Sequence, residues 1–176
     1  KYYFKYIEQI STPILDKGFQ TGKNIHSLAS YYLNGKNIEK FENSLSTLEK
    51  EYWSWLKKIN YFCYEILGVE KNISSRLGNF WIGGRLDALV KAEDKIYILD
   101  YKTGGVNSDM VYDPQTMVYC LLCAEYYNVC SELSFVYLDL KNKKEVVINF
   151  SEELKSEYKT RLINICSGIS NFDLSK

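Results

Sequence analysis

The chain has 176 residues, of which 46% are hydrophobic, 15% aromatic and 25% charged, with 22 basic and 22 acidic side chains. This composition predicts one folded globular domain, and it excludes a mainly disordered chain and a protein that coats nucleic acid by bulk positive charge. The longest apolar run, residues 117–124, is far shorter than the roughly 18 residues that read as a membrane-spanning helix, so no membrane association is expected.

The start of the chain and its cysteines bear on its origin and location. The first residue is Lys1 and no apolar signal segment follows it, so we interpret the chain as a fragment of a longer protein. The five cysteines form no regular disulfide framework, and Cys120 and Cys123 are expected to pack in the core. Without a secretory signal, a reducing, cytoplasmic location is predicted.

The first part of the chain, residues 1–68, is predicted to be helical. Apolar residues recur at helical spacing over residues 20–33, and Gly35 marks the end of that helix. Residues 38–66 predict one or two further helices with tryptophan side chains on the buried face.

The remaining part, residues 69–176, is predicted to be the core of a single domain. Strands are expected over residues 71–80, 81–92 and 95–102. Asp113 and Pro114 are typical of a helix start and predict a helix to about residue 127. A hairpin over residues 133–150 and a last helix that begins at Ser151 complete an α/β fold, with a central mixed β-sheet flanked by helices.

The second and third strands carry a group of charged residues. If Glu93 and Asp94 form the centre of the turn between these strands, Asp87 lies directly opposite Asp100, with Cβ atoms about 5 Å apart. Lys102 lies two residues after Asp100 and projects from the same face. The pattern therefore predicts that two carboxylates and one ammonium group converge.

Two opposed carboxylates among apolar neighbours repel each other unless a cation lies between them. Carboxylates, a backbone carbonyl and water are typical ligands of hard ions such as Mg²⁺ or Mn²⁺. Such an ion polarises a phosphodiester and activates a water molecule. Lys102 would position that water or stabilise negative charge at phosphorus.

The GRLD motif at residues 84–87 and the LDYKTG motif at residues 99–104 resemble the core of the PD-(D/E)xK nucleases, specifically their RecB-type branch. Three further motifs of that branch occur in the family's order. They are GxxxH at residues 22–26, QxxxY at residues 115–119 and the aromatic opening KYYFKY at residues 1–6. The resemblance covers most of the chain and implies a restriction-endonuclease-like core.

The resemblance implies a divalent-metal site and a catalytic lysine. Lys102 would be that lysine. The metal ligands would be His26, Asp87, Asp100 and the carbonyl oxygen of Tyr101.

The resemblance also implies contacts with substrate. Gln115 and Tyr119, one helical turn apart on one face, would line the site and contact the DNA backbone or support Lys102. Lys23 and Arg85 are candidate phosphate contacts. Glu70 matches the pattern poorly and would at most support the metal ligands.

The implied activity is exonuclease hydrolysis of DNA that is single-stranded or has free ends, in repair, recombination or CRISPR-type processing. A helicase or another repair or CRISPR subunit would be a partner. Several members of the branch bind an iron–sulfur cluster, but none of the cysteines present fits the cluster spacing.

Two alternatives are a nuclease-fold module that binds DNA or a helicase without cutting, and a restriction-type endonuclease. The retained acids and lysine argue against the first, and the GxxxH and QxxxY motifs argue against the second.

Overall fold

The structure is a computed structural model that describes residues 17–107, 109–129 and 132–170. The aromatic opening at residues 1–6 and Cys130, both part of the sequence predictions, lie outside the described residues. Among the helices that are described, none combines the length and the apolar character needed to cross a membrane.

The helices and strands follow the predicted order of helices, three strands, a helix, two strands and a helix. The helices are α1 (Lys17–Leu33), α2 (Glu39–Ser44), α3 (Thr47–Leu56), α4 (Pro114–Tyr127) and α5 (Glu152–Ser170), with short 3₁₀ helices at Asn60–Cys63 and Met110–Tyr112. The strands are β1 (Glu65–Leu77), β2 (Phe80–Ala92), β3 (Lys95–Lys102), β4 (Leu133–Asp139) and β5 (Lys144–Asn149).

The five strands form one sheet in the order β1-β2-β3-β4-β5. Strands β3 and β4 are parallel, and the other neighbouring pairs are antiparallel. Helix α4 lies in the crossover that a parallel pair requires. The central sheet is therefore mixed, as predicted.

Helices cover both faces of the sheet and bury a core on each. One core includes Phe135 from β4 and joins the sheet to α4 and α5. Cys120 and Cys123 of α4 are buried within it, which confirms their predicted packing role. The other core joins the sheet to α1 and α3 and includes Ile25 and Leu28 of α1. The site described below lies between elements held by these two cores.

Residues 38–66 differ from the helical prediction. Strand β1 already begins at Glu65, within the segment predicted as helix. Helices α2 and α3 are separate because Ser46 starts α3 with a capping box. Its hydroxyl oxygen accepts from the Glu49 backbone N–H, and its own N–H donates to Glu49 Oε2 at 2.8 Å.

The first hairpin also differs from the prediction, because its turn lies at Gly78 and Asn79. Strands β1 and β2 have 13 residues each, whereas β3 has 8. Pairing between β2 and β3 ends at Ala88 and Leu99. The hairpin therefore extends past the end of β3, and we call residues 71–86 the hairpin arm.

Candidate active site

The site lies where the pairing of β2 with β3 ends. Ala88 pairs with Leu99, which is the predicted register, so Asp87 and Asp100 are the next residues on the two strands. The backbone N–H of Tyr101 donates to Asp87 Oδ2 at 3.0 Å. At this point the side chain of Asp87 on β2 accepts the hydrogen bond from the backbone of β3. The two carboxylates are neighbours but bind different partners.

Helix α1 brings His26 against Asp87. Its Nδ1 atom lies 3.1 Å from Asp87 Oδ1, and its Nε2 atom lies 3.0 Å from the Tyr101 carbonyl oxygen. Because a carbonyl oxygen only accepts, Nε2 carries a proton. Burial opposes charging of the ring, but the hydrogen bond and charge of Asp87 outweigh it and raise the pKa of His26. In the neutral ring, Nδ1 offers a lone pair beside a carboxylate oxygen, which is an arrangement suited to a shared cation.

Gly22 lets α1 approach the end of β3. A Cβ atom at this position would lie 3.3 Å from Thr103 Oγ1, which is closer than most such contacts. Gly22 and His26 are four residues apart, so they lie on the same face of the helix. The GxxxH spacing therefore places the small residue and the imidazole together against the sheet.

Strand β1 departs from regular geometry at Glu70. The residues on either side pair with β2, but the pairing passes over Glu70 and the opposing Asp87. Glu70 has a φ angle of 51°, in the left-handed region that few residues other than glycine adopt. It lies opposite Asp87 because the hairpin turn is centred on Gly78 and Asn79. With the turn between residues 80 and 81, as the predicted strands imply, Glu70 would not lie opposite Asp87.

Ligand atoms of His26, Glu70 and Asp87 all lie within 4.8 Å of one another. We call these residues the histidine–carboxylate cluster. Burial, followed by repulsion from Asp87, raises the pKa of Glu70. One imidazole and two carboxylates suit a divalent cation, whose charge would offset this repulsion. The residues present therefore fit a divalent metal ion.

A second group, the lysine cluster, consists of Asp100, Lys102 and Gln115. Lys102 Nζ lies 2.7 Å from Asp100 Oδ2 and donates to Gln115 Oε1 at 3.0 Å. Gln115 Nε2 in turn donates to Asp100 Oδ1 at 2.5 Å. Burial and then repulsion by Asp87 raise the pKa of Asp100 to about 6, although the Lys102 ammonium opposes this shift. The three side chains thus fix the position of the ammonium group.

Helix α4 positions the remaining predicted side chains. Asp113 Oδ1 accepts from the Gln115 backbone N–H at 2.8 Å, which confirms the predicted helix cap. The Tyr119 hydroxyl donates to the Arg85 carbonyl oxygen at 2.7 Å. Tyr119 packs so tightly that a Cβ atom at Gly84 would lie 2.3 Å from its Cε1 atom. Glycine at position 84 is therefore a steric requirement of this helix contact.

An open pocket of about 540 Å³ lies beside the histidine–carboxylate cluster. Its lining consists of Phe19, Gly22, Lys23, His26, Ser27, Glu70, Arg85 and Thr103. The two predicted phosphate contacts, Lys23 and Arg85, are thus on one pocket. Arg85 Nε lies 2.6 Å from Glu70 Oε2, yet the arginine side chain remains 62% exposed.

The residues predicted for the site lie around the point where the pairing of β2 with β3 ends, but they form two groups rather than one. Asp100 contacts Lys102 and Gln115, and the Tyr101 carbonyl is hydrogen-bonded to His26. Metal binding by Asp100 and by the Tyr101 carbonyl stays a prediction.

Comparisons with solved structures identify proteins of similar fold. The "Putative exonuclease" from Eubacterium rectale is 12% identical, with a TM-score of 0.56, over 94% of this chain and 72% of that chain. At this identity the likeness concerns the fold alone. A structure named SSO0001 is 13% identical over 88% of this chain and 77% of that chain, but its TM-score of 0.39 is too low to support an argument.

At the level of sequence, no curated protein matches. The model of the PD-(D/E)XK nuclease superfamily, however, matches residues 43–173, which include Asp87, Asp100 and Lys102. This match and the fold together confirm the predicted restriction-endonuclease-like core. The chain belongs to the PD-(D/E)XK nuclease superfamily.

Proposed function

We propose that this chain is a divalent-metal-dependent deoxyribonuclease that acts as an exonuclease. Membership of the superfamily supports nuclease activity. The observation that carries metal dependence is the histidine–carboxylate cluster, whose three ligand atoms lie within 4.8 Å of one another. Next to it in the sheet, the lysine cluster holds the ammonium group of Lys102.

The proposed metal is Mg²⁺ or Mn²⁺, held by His26, Glu70 and Asp87, with Asp100 as a further ligand implied by the resemblance. A bound ion of this kind polarises the phosphodiester and lowers the pKa of a water molecule. His26 would bind through Nδ1, because the Tyr101 carbonyl holds its Nε2–H. Asp87 would bind through Oδ1, because its Oδ2 accepts from the Tyr101 N–H.

Lys102 has the proposed role of stabilising negative charge at phosphorus or orienting the attacking water. Asp100 and Gln115 hold its Nζ atom by contacts of 2.7 and 3.0 Å, so little reorganisation is needed during the reaction. Lys23 and Arg85, on the pocket wall, would bind phosphate groups of the substrate.

The choice of DNA and of exonuclease action rests on the RecB-type GxxxH and QxxxY motifs. Single-stranded DNA or DNA with free ends is the proposed substrate, and a helicase or another repair or CRISPR subunit is the proposed partner. The proposed location is the cytoplasm, where the buried thiols of Cys120 and Cys123 would stay reduced.

Degradation of end-labelled single- and double-stranded DNA tests this proposal. Reactions with Mn²⁺, with Mg²⁺ and with EDTA are compared for the natural sequence and for Lys102→Ala. We expect metal-dependent trimming from an end that Lys102→Ala reduces by about 10²- to 10⁴-fold, and no cutting of closed circular DNA. Cleavage in EDTA would contradict the metal site. DNA binding without cleavage by the folded protein would favour the non-cutting module, and discrete fragments from a circle would favour an endonuclease.

A further inference from the structure

The hairpin arm has two different faces. On its inner face, Ile73, Leu77 and Ile82 pack against the core that includes α4. The outer face is exposed along the whole arm. Its residues are Asn72, Ser74, Arg76, Trp81, Gly83 and Arg85. Because side chains alternate along a strand, these six lie together on one surface.

Trp81 is the most unusual residue of this outer face. Its side chain is 72% exposed, more than any other large hydrophobic residue among those the structure describes. It pairs across the hairpin with Arg76, so an indole and a guanidinium lie side by side. An exposed tryptophan makes little contribution to the core, which suggests that it contacts another molecule.

The outer face also differs from the rest of the chain in charge. The chain as a whole has equal numbers of acidic and basic residues, whereas this face has two arginines and no acid. Arg85 lies at its inner end, on the wall of the active-site pocket. Trp81 precedes Arg85 by four residues on β2 and lies farther from the pocket, at roughly 14 Å from Arg85 for the usual rise of a strand. The Arg85 guanidinium is paired with Glu70 at the pocket. The face therefore extends outward from the pocket as a strip without acidic side chains, with Arg76 and an aromatic ring near its far end.

We propose that the outer face of the hairpin arm binds the single-stranded part of the substrate, with Trp81 stacked on a base and Arg76 paired with a phosphate. This proposal rests on the proposed nuclease function and adds the substrate form and its binding surface. An indole stacks on any of the four bases, so this contact does not depend on the DNA sequence. Arginine presents a planar fork that matches phosphate oxygens. Both groups are complementary to a polyanion with unstacked bases, and less so to a duplex whose bases are covered.

Binding is measured separately from cleavage. A fluorescein-labelled single-stranded 20-mer of DNA is titrated with protein in the presence of Mn²⁺, and its anisotropy is followed. All variants are made in a Lys102→Ala background, which prevents degradation of the probe. Trp81→Ala is compared with Trp81→Phe, and Tyr31→Ala serves as a matched control because Tyr31 is 44% exposed on α1, outside the hairpin arm.

We expect Trp81→Ala to weaken binding about tenfold, and Trp81→Phe to restore most of the affinity. Arg76→Ala should weaken binding and reduce the magnitude of the slope of log K against log salt concentration by about 0.7, while Lys159→Ala on α5 should change neither. Binding to a blunt 20-base-pair duplex should depend less on Trp81. An equal loss on the duplex, or a Trp81→Ala variant that binds like Tyr31→Ala, would overturn the proposal.

The cleavage assay distinguishes this proposal from the nuclease function. If the natural sequence degrades DNA but the arm variants in the Lys102→Ala background bind normally, the arm proposal fails and the nuclease stands. If the natural sequence does not cleave but Trp81 and Arg76 variants lose binding, the arm proposal stands and the nuclease function fails.

Discussion

The two polar groups where the pairing of β2 with β3 ends are neighbours that differ in their charge balance. The lysine cluster joins one carboxylate, one ammonium group and one amide by contacts of 2.5 to 3.0 Å. The histidine–carboxylate cluster has two carboxylates and one imidazole within 4.8 Å, with Arg85 paired to Glu70 from the pocket side. The first group is balanced within itself, whereas the second would gain stability from the proposed cation. Adjacent positions on two strands can thus serve to hold a charged side chain and to receive an ion.

The largest expected effect comes from Asp87→Asn. This change removes a charge from the histidine–carboxylate cluster while an amide oxygen can still accept from the Tyr101 N–H. We expect loss of Mn²⁺ binding by isothermal titration calorimetry, and a fall in cleavage of about a thousandfold, equivalent to several kcal/mol of lost metal-ion stabilisation.

Lys102→Ala is the control for this comparison, because it lies in the lysine cluster. It should lose cleavage but keep Mn²⁺ binding. Unchanged Mn²⁺ affinity in Asp87→Asn would contradict the assignment of the cation to the histidine–carboxylate cluster.

Glu70→Gln should have the next largest effect. We expect Mn²⁺ binding to weaken about 10- to 100-fold, because one of two carboxylates that face the ion becomes neutral. The exposed Glu39→Gln change on α2 is a matched control and should leave the affinity unaltered. If Glu70→Gln binds normally while Asp100→Asn does not, the ion belongs with the lysine cluster instead.

Gly84→Ala tests the contact between the hairpin arm and α4. The added methyl group would lie 2.3 Å from the Tyr119 ring, so the helix or the arm must move. We expect a loss of about 1 to 3 kcal/mol in the free energy of unfolding measured in urea. Gly104→Ala is the control, since its added Cβ atom meets nothing within 4 Å. Equal stability of the two variants would show that the contact is loose.

Glu49→Gln should have the smallest effect, because it removes only one charge from the hydrogen bonds that join α3 to α1, the helix that carries His26. Glu49 Oε1 accepts from Asn24 on α1 at 2.7 Å, and Glu49 Oε2 accepts from Ser46. Burial opposes ionisation, but these hydrogen bonds outweigh it and lower the pKa of Glu49 below its usual 4.5. The charged form therefore stabilises the fold above pH 4.5, and this contribution is lost as the pH falls through the folded-state pKa.

We expect Glu49→Gln to lower the free energy of unfolding by about 1 kcal/mol at pH 7, and by less at pH 3. Urea denaturation at the two pH values measures the difference. A deficit of the same size at both would show that the carboxylate charge contributes nothing.

The sequence predicts the lysine cluster better than the histidine–carboxylate cluster. Asp100, Lys102 and Gln115 lie within 16 residues on one strand and the next helix, whose cap is evident from Asp113 and Pro114. The opposition of Asp87 to Asp100 follows from the turn at residues 93–94, and the structure confirms that register. Local signals are sufficient for these features because the elements involved are close in the chain.

The histidine–carboxylate cluster depends on contacts between distant segments. His26 is placed only by a motif, and Glu70 depends on the position of a turn eight residues away. An alternating pattern continues through residues 71–82, so it does not by itself show where the chain reverses. The contacts of Gly22 with Thr103 and of Gly84 with Tyr119 depend on tertiary packing, which the periodicity of the sequence does not indicate.

The irregular geometry of β1 has a second consequence, for the solubility of the protein. Among the strands that the structure describes, β1 lies at one edge of the sheet, and an unpaired edge can add strands from other molecules. Its ladder is interrupted by a register shift between Ile66 and Gly68 and by the left-handed conformation of Glu70. Such interruptions disfavour continuous pairing with a second chain. The backbone departure that places a carboxylate beside His26 therefore also makes this edge a poorer template for strand pairing between molecules.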